Sequence, residues 1–256
     1  MKKTLTTLLF LAAALTLAAQ PDSTILQKTF SVSPDTKVLF SPGNLQYQPS
    51  THLWRFASSQ TETLGWQEKQ SYPKYRGWID LFSWGSALNP TDFEQQQANN
   101  FVDWGLFCAL PTGQGKQWRT LTLAEWTYLL SKRPNARRLY ALAYVCGHYG
   151  LILLPDNWQR PKGIYMRTGP KEENYNAYND EQWQRLQTAG AIFLPAETKR
   201  IGTQSQGSAF ACRYWSSSPN PNKNNEALYL LVDPYLPQIK SAPTSHGLSV
   251  RLVQEY

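Results

Sequence analysis

The chain has few of the residues that build metal centres and covalent active sites. Its 256 residues include three cysteines and three histidines. Cys108, Cys146 and Cys212 are widely separated and form no CxxC pair, so we expect no zinc site, since zinc needs several close ligands. One disulfide and one spare thiol agree with this count, but the spacing does not say which two cysteines pair.

Charge is also sparse along the chain. Charged residues make up 17% of it, the formal net charge is +7, and there is no basic run. A nucleic-acid interface needs a basic stripe with interleaved aromatic residues, so we expect no nucleic-acid partner. The densest basic cluster comprises Lys132, Arg133, Arg137 and Arg138, and we interpret it as a solvated helix end.

The N-terminal apolar run is too short to span a bilayer as a helix. Residues 1–19 fit a secretory signal peptide, with Lys2 and Lys3, then Leu8 to Leu17, then Ala18 and Ala19. No cysteine lies near that junction, so we expect no lipid anchor. We therefore expect export to the periplasm, the cell surface or the medium. Residues 20–256 would form a single domain that begins with a β-hairpin extension and has no stable membrane span.

Aromatic residues, in contrast, are abundant. Ten tryptophans and fourteen tyrosines occur in a chain with a mean hydropathy of −0.48. Such residues suit a loop-rich domain with buried indoles, and equally a surface on which sugars stack. Between Gln60 and Gln117 the sequence has several Trp-Gly or Gly-Trp pairs and little periodicity, which predicts long irregular loops pinned by buried indoles.

Local patterns predict several regular elements. A β-hairpin is expected over Thr29 to Pro42 and a strand over His52 to Ala57. One helix begins at the capping box Thr122-x-x-Glu125, and a second begins after Asn179 and ends at Gly190. Two apolar runs ended by proline, 150–156 and 190–196, are expected to be buried strands.

The C-terminal third predicts an antiparallel meander of three strands, formed by RYWSSS, EALYLLVD and GLSVRLV. The two intervening segments are rich in proline and asparagine and are interpreted as loops. Tyr214 and Trp215 should point to opposite faces of the sheet, with one of them in the core. Arg251 should lie on a polar face, over an aromatic ring or paired with an acid such as Glu226. Strands at both ends and helices in the middle give the α+β class.

Eight segments between Phe30 and Val253, taken in their order along the chain, resemble segments of a known group of proteins. They are VLFSPGNLQY, WRFA, WIDLFSWG, WRTLTLAEWTYLL, GLILLPDNW, AGAIFLPA, YWSSS and GLSVRLV. Together they are similar to secreted Bacteroidetes-type proteins related to the Fibrobacter major paralogous domain. That group resembles the formylglycine-generating-enzyme and C-type-lectin-like fold superfamily. The resemblance implies a twisted antiparallel sheet, two main helices and long irregular loops, with the ligand face near the C-terminal strands.

The chemistries of that superfamily fit this chain poorly. Formylglycine-generating enzymes hold copper with two nearby C-terminal cysteines, but Cys212 is the only cysteine after Cys146. Calcium-dependent lectins use an acid or amide before Pro-Asn and a Trp-Asn-Asp strand. This chain has Ser218 before Pro219-Asn220 and lacks Trp-Asn-Asp. We expect no cofactor, with calcium as the weaker alternative.

The resemblance also implies where a ligand would bind. In the variable proteins of retroelements, which share this fold, exposed residues between the WSS strand and the final strand form the binding surface. The matching candidate ligand residues here are Asn220, Asn222, Lys223, Asn224, Asn225, Tyr235, Gln238, Lys240 and His246. Adaptable polar groups with a few aromatics suit recognition, although ordinary surface loops have the same composition.

The three serines Ser216 to Ser218, with His246 and Asp233 downstream, superficially resemble a hydrolase site. They lie in no GxSxG sequence and lead into a Pro/Asn loop, whereas a nucleophile elbow leads into a helix. We therefore predict an exported, non-catalytic recognition domain that binds a glycan or a surface protein. The alternatives are a structural or adhesin-associated envelope component and a divergent formylglycine-generating-type enzyme. The oligomeric state is left open.

Overall fold

A computed structural model describes residues 28–91, 101–108, 110, 116–169, 176–208, 210–233 and 236–256. The predicted signal peptide, residues 1–19, and the candidate ligand residue Tyr235 lie outside the described residues.

The described residues contain three α-helices and fifteen strands. The helices are α1 Trp104–Phe107, α2 Leu123–Thr127 and α3 Asp180–Thr188. The strands in the first half are β1 Phe30–Ser31, β2 Lys37–Phe40, β3 Leu45–Gln48, β4 Leu53–Phe56, β5 Trp118–Thr120, β6 Tyr140–Val145 and β7 His148–Leu153. Those in the second half are β8 Asn176–Tyr178, β9 Ile192–Pro195, β10 Lys199–Ile201, β11 Gln204–Gln206, β12 Cys212–Pro219, β13 Glu226–Val232, β14 Pro237–Pro243 and β15 Leu252–Glu255.

The structure confirms the α+β class. The strands form sheets in the orders β1-β2-β15-β5, β8-β6-β7-β9 and β12-β13-β14, with two further two-stranded sheets, β3-β4 and β10-β11. Every pairing is antiparallel except that of β6 with β8. No helix in the described ranges combines the length and the apolar character needed to cross a membrane.

The N-terminal hairpin is present, with Phe30 opposite Val38. It lies inside the body of the fold, because β2 also pairs with the last strand, β15. The apolar side chains Phe30, Val38, Phe40 and Val253 then share one core cluster. Both ends of the described chain are therefore held in the same sheet.

The two apolar runs are buried strands, as predicted, and they are neighbours in one sheet. Leu151 of β7 lies opposite Leu194 of β9. Gly150 is required at this crossing, since a Cβ there would lie 2.5 Å from the carbonyl oxygen of Leu194. On the other side, Trp183 of α3 packs edge-to-face on Phe193 at 5.7 Å, which anchors the helix to the sheet.

Both predicted helix starts are confirmed, each with a reciprocal capping box. The first helix continues beyond α2 as a π-helical turn, Tyr128–Lys132. Arg133, at its end, was wrongly assigned to a solvated cluster. Its guanidinium is buried and donates to the carbonyl of Leu139 at 3.1 Å and to Asp156 at 3.1 Å, a partner that sequence spacing does not reveal.

The prediction that GLSVRLV forms the third strand of the C-terminal meander was wrong. The third strand is β14, which lies in a segment interpreted as a loop. Ser249 of GLSVRLV lies beside β12, where the amide of Trp215 donates to its carbonyl, and Leu248 instead pairs with Phe82. The last two residues of this segment enter the N-terminal sheet in β15. The prolines of β14 favoured its interpretation as a loop, although proline is tolerated at outward positions of an edge strand.

Both Tyr214 and Trp215 are buried, at 0% and 1% exposure, so the expectation of one core residue was too low. They belong to two different clusters, because β12 is covered on both faces. Arg251 is also buried, and it bonds the carbonyls of Ser41 and Phe193. Pairing with an acid such as Glu226, one of the two contacts expected for Arg251, does not occur among the described residues.

Buried indoles pin the irregular region, as predicted. The indole of Trp66 donates to the carbonyl of Thr203 at 2.8 Å, and that of Trp84 donates to the carbonyl of Ser216 at 2.7 Å. Seven of the ten tryptophans are buried. The aromatic abundance therefore mainly builds the core.

Candidate functional site

The sheet β12-β13-β14 places candidate ligand residues at both of its ends, and Lys240 in the middle of β14, opposite Tyr229. Residues 220–225 form the turn between β12 and β13, and His246 follows β14 at the same end. Gln238 lies at the opposite end, near the β13–β14 connection. Strands of seven residues place these ends about 20 Å apart. One small ligand cannot contact the residues at both ends.

The turn at 220–225 is organised by Glu226. Its carboxylate accepts from Lys223 at 2.7 Å, from the side chain of Asn220 at 3.2 Å, and from the hydroxyl of Ser241. The hydrogen bond from Lys223 is the largest of the causes that lower the pKa of Glu226. Asn220 and Lys223 are thus occupied by internal bonds, whereas Asn222, Asn224 and Asn225 are exposed.

A small polar cavity of about 180 Å³ lies beside this turn. It is lined by Asn225, Pro243, Thr244 and Ser245. The Thr244 side chain is 1% exposed, and its hydroxyl has no hydrogen-bond partner within the described residues. A buried hydroxyl without a partner is costly, so this cavity suits a polar guest.

His246 is half-buried next to the same turn. Burial, and then the charges of Lys199 and Arg200, lower the pKa of His246 to about 4. The ring is therefore neutral at physiological pH, and it is a poor proton donor for catalysis.

Calcium, the weaker cofactor alternative, would need several oxygen ligands close together. Within the described ranges no three His, Cys, Asp or Glu side chains cluster closely enough to hold a metal ion. Asn220, which the lectin pattern would place on calcium, is bonded to Glu226.

A larger groove lies at the other end of the sheet and has a volume of about 360 Å³. Most of its lining is apolar, with polar groups that include Gln238, Arg137 and Ser131. The lining residues are Trp126, Thr127, Leu130, Ser131, Arg137, Tyr140, Leu230, Leu236, Pro237, Gln238 and Ile239. This combination of an apolar lining with a few polar groups is typical of ligand sites.

Hydrogen bonds and strand pairing hold the walls of the groove in place. The helix over it is fixed by the capping box at Thr122 and by a two-bond contact from Arg119 to Glu125, at 2.9 and 2.6 Å. The amide of Leu123 donates to the hydroxyl of Ser218 at 2.9 Å, which ties the helix to β12. The floor is a row on one face of the sheet, since Tyr214 lies opposite Leu230 and Leu230 opposite Ile239.

The serines are integrated into this scaffold. The hydroxyl of Ser216 donates to the carbonyl of Leu228 at 2.7 Å, and its side chain is buried. Ser218 serves as the helix anchor. Both hydroxyls therefore have structural partners, as the scaffold interpretation requires.

The three cysteines are free thiols and form no disulfide in the described chain. Burial raises the pKa of Cys146 to about 11 and that of Cys212 to about 12, and it also raises the pKa of Cys108. None of them is an activated nucleophile, since reactive cysteines have lowered pKa values.

A pair of buried carboxyl groups, Asp80 and Glu197, was not predicted from the sequence. Glu197 accepts from the amide of Gly65 at 2.5 Å and from the hydroxyl of Ser249 at 3.3 Å, and Asp80 accepts from the amide of Leu64 at 2.9 Å. Burial raises the pKa of both, to about 7 for Glu197. An acid inside an apolar segment, as in WIDLF and FLPAE, was the available signal.

Comparisons of the chain with protein-family models, curated proteins and solved structures found no match. The assignment of function therefore depends on the geometry of the described residues and on the resemblance of the eight segments.

Proposed function

We propose that the chain is an exported, non-catalytic recognition domain of the C-type-lectin-like fold that binds a protein partner at the cell envelope. The observation that carries the proposal is the groove between α2 and the sheet β12-β13-β14. Its apolar lining fits a side chain of another protein. Gln238, which was selected from the sequence, lies in its wall.

The groove favours a protein over a glycan because of the character of its walls. Sugars bind to exposed aromatic faces and dense polar groups, but Trp126 in this groove is only 1% exposed. Leu236, in contrast, is 46% exposed at the groove entrance and offers apolar contact area. Arg137 is exposed on the lining and has no ion-pair partner among the described residues, so it is available to an acidic group.

The test is a selection of random linear peptides on the purified domain, in parallel with a glycan array. Ser131→Tyr fills the groove from the helix side. Thr188→Tyr is the matched control, since both hydroxyls donate to the carbonyl four residues earlier on an exposed helical surface. We expect peptides whose binding is lost with Ser131→Tyr and retained with Thr188→Tyr. Failure to recover any such peptide would overturn the proposal.

Glycan recognition at the polar cavity near Asn225 is the second candidate function. The buried hydroxyl of Thr244 that lacks a partner in the described chain favours it, since a sugar hydroxyl could satisfy that group. A glycan-array signal that is abolished by Asn225→Ala and unchanged by Ser131→Tyr would support this candidate in place of the first.

A further inference from the structure

Strand β14 is an edge strand with an open side. Its paired neighbour is β13, along all seven residues. In the part of the chain that the structure describes, no other element forms a backbone hydrogen bond with Ile239 or Ser241. An edge of this kind can accept an additional strand.

The ladder shows which groups point outward. The amide of Thr244 donates to the carbonyl of Asn225 at 2.9 Å, one step beyond the last pair of β13 and β14. Hydrogen-bonded pairs alternate along an antiparallel ladder, so Gln238, Lys240 and Ala242 bond inward. Ile239 and Ser241 therefore direct both their N–H and C=O groups outward. Pro237 and Pro243 occupy the other outward positions, where no N–H is needed.

The groove continues the apolar row that ends at this edge. Tyr214, Leu230 and Ile239 follow one another across three strands on one face. Ile239 also lines the groove, with Leu130 and Ser131 of the helical segment above it. A side chain opposite Ile239 on an added strand would point to the same face and enter the groove.

We propose that an extended segment of another protein binds as an additional strand along β14, with an apolar side chain next to Ile239 in the groove and an acidic side chain opposite Lys240. The inference rests on the proposed function, because it specifies how the partner occupies the same site. Main-chain bonds to Ile239 and Ser241 supply affinity, and the groove and Lys240 supply selectivity. Arg137 provides a positive charge at the groove, on the face of the sheet opposite to that of Lys240.

The charge of Lys240 argues against a second copy of the chain as the occupant. A two-fold pairing that uses both outward residues places Ile239 of each copy opposite Ser241 of the other. Lys240 of one copy then lies directly opposite Lys240 of the other copy, and like charges at opposed positions destabilise a sheet. The other two-fold registers place a proline opposite Ile239 or Ser241 and lose a donor.

Hydrogen exchange on the domain saturated with a selected linear peptide tests the binding mode. We expect the amides of Ile239 and Ser241 to exchange at least about tenfold more slowly, since each gains a hydrogen bond. The amides of Gln238 and Lys240, which already bond to β13, should change little. N-methylation along the peptide should weaken binding about tenfold at alternate positions only, because alternate amides of an added strand face β14.

Charge reversal tests the recognition of the acidic residue. Lys240→Glu should weaken an acidic peptide at least about threefold, and the control Lys162→Glu, on an exposed loop near α3, should not.

Each outcome has a distinct meaning. Binding that Ser131→Tyr abolishes but that leaves the amides of Ile239 and Ser241 unprotected would overturn strand addition and leave the recognition function in place. Absence of peptide binding would overturn both proposals. If these amides are protected in a self-associated protein without peptide, the proposal of another protein as the occupant would be overturned. The strand added along β14 would then come from a second copy of the chain.

Discussion

Glu197 should make the stability of this protein fall as the pH rises. Its carboxyl group is buried, and burial raises its pKa from the ordinary 4.5 to about 7. Asp80 is also buried, and after burial itself the charge of Glu197 is the largest cause that raises the pKa of Asp80. The substitution Glu197→Gln removes the titration and keeps an oxygen to accept from the amide of Gly65.

The sign and the magnitude follow from proton binding. Between pH 4.5 and pH 7 the folded chain keeps a proton on Glu197 that the unfolded chain has released. Raising the pH therefore favours unfolding, and the free energy of unfolding should fall by about 3 kcal/mol across this range. Most of the loss, about 2 to 3 kcal/mol, lies between pH 5 and pH 8. Full burial of the group means that solvent screens this effect little.

Urea unfolding followed by circular dichroism at pH 5 and pH 8 measures the effect. Glu197→Gln should be nearly as stable as the parent at pH 5 and about 2 to 3 kcal/mol more stable at pH 8. The low pKa of His246 has the opposite sign, since it stabilises the fold as the pH rises from about 4 to 6.5. Because both proteins contain His246, the difference between them excludes the titration of His246 and reports Glu197 together with the response of Asp80, whose pKa the charge of Glu197 raises. Equal losses in the parent and the variant would refute the reasoning, and Glu181→Gln on the exposed surface of α3 is the control.

Three further predictions concern the scaffold around the candidate sites. The ring of His246 should stay neutral from pH 8 down to about pH 5 in an NMR titration, and protonation near pH 6.5 would contradict its burial beside Lys199 and Arg200. Thr122→Ala should lower the free energy of unfolding by about 1 kcal/mol, because the amide of Glu125 loses its cap, and Thr188→Ala, which removes no cap, should cost less. Ser216→Ala should cost about 1 to 3 kcal/mol in urea unfolding, since the carbonyl of Leu228 loses a buried donor, whereas an unchanged stability would remove the structural role of this serine.

The candidate site was predictable in part. The sequence selected Gln238, which lies in the groove, and Asn225, which lines the polar cavity. It did not select Leu236, Ile239 or the helix residues Thr127 and Leu130 as ligand contacts. These residues come from two distant segments, and only the packing of α2 against the sheet brings them to one groove.

The sequence by itself determined the elements whose signals are local. The capping boxes at Thr122 and Asn179 determined two helix starts, because a cap is a contact between residues three positions apart. Apolar runs identified β7 and β9, since a fully buried strand needs apolar side chains on both faces.

The tertiary structure decided the features that depend on distant partners. Strand β14 exists because β13 supplies its ladder bonds, although its own composition is typical of a loop. Arg251 and Trp215 are buried because carbonyl groups far along the chain, at Phe193 and Phe82, accept their hydrogen bonds. The open edge of β14 and the groove beside it are likewise products of assembly. The spacing of residues along the chain cannot show which backbone N–H groups face outward, without a partner, after two strands have paired.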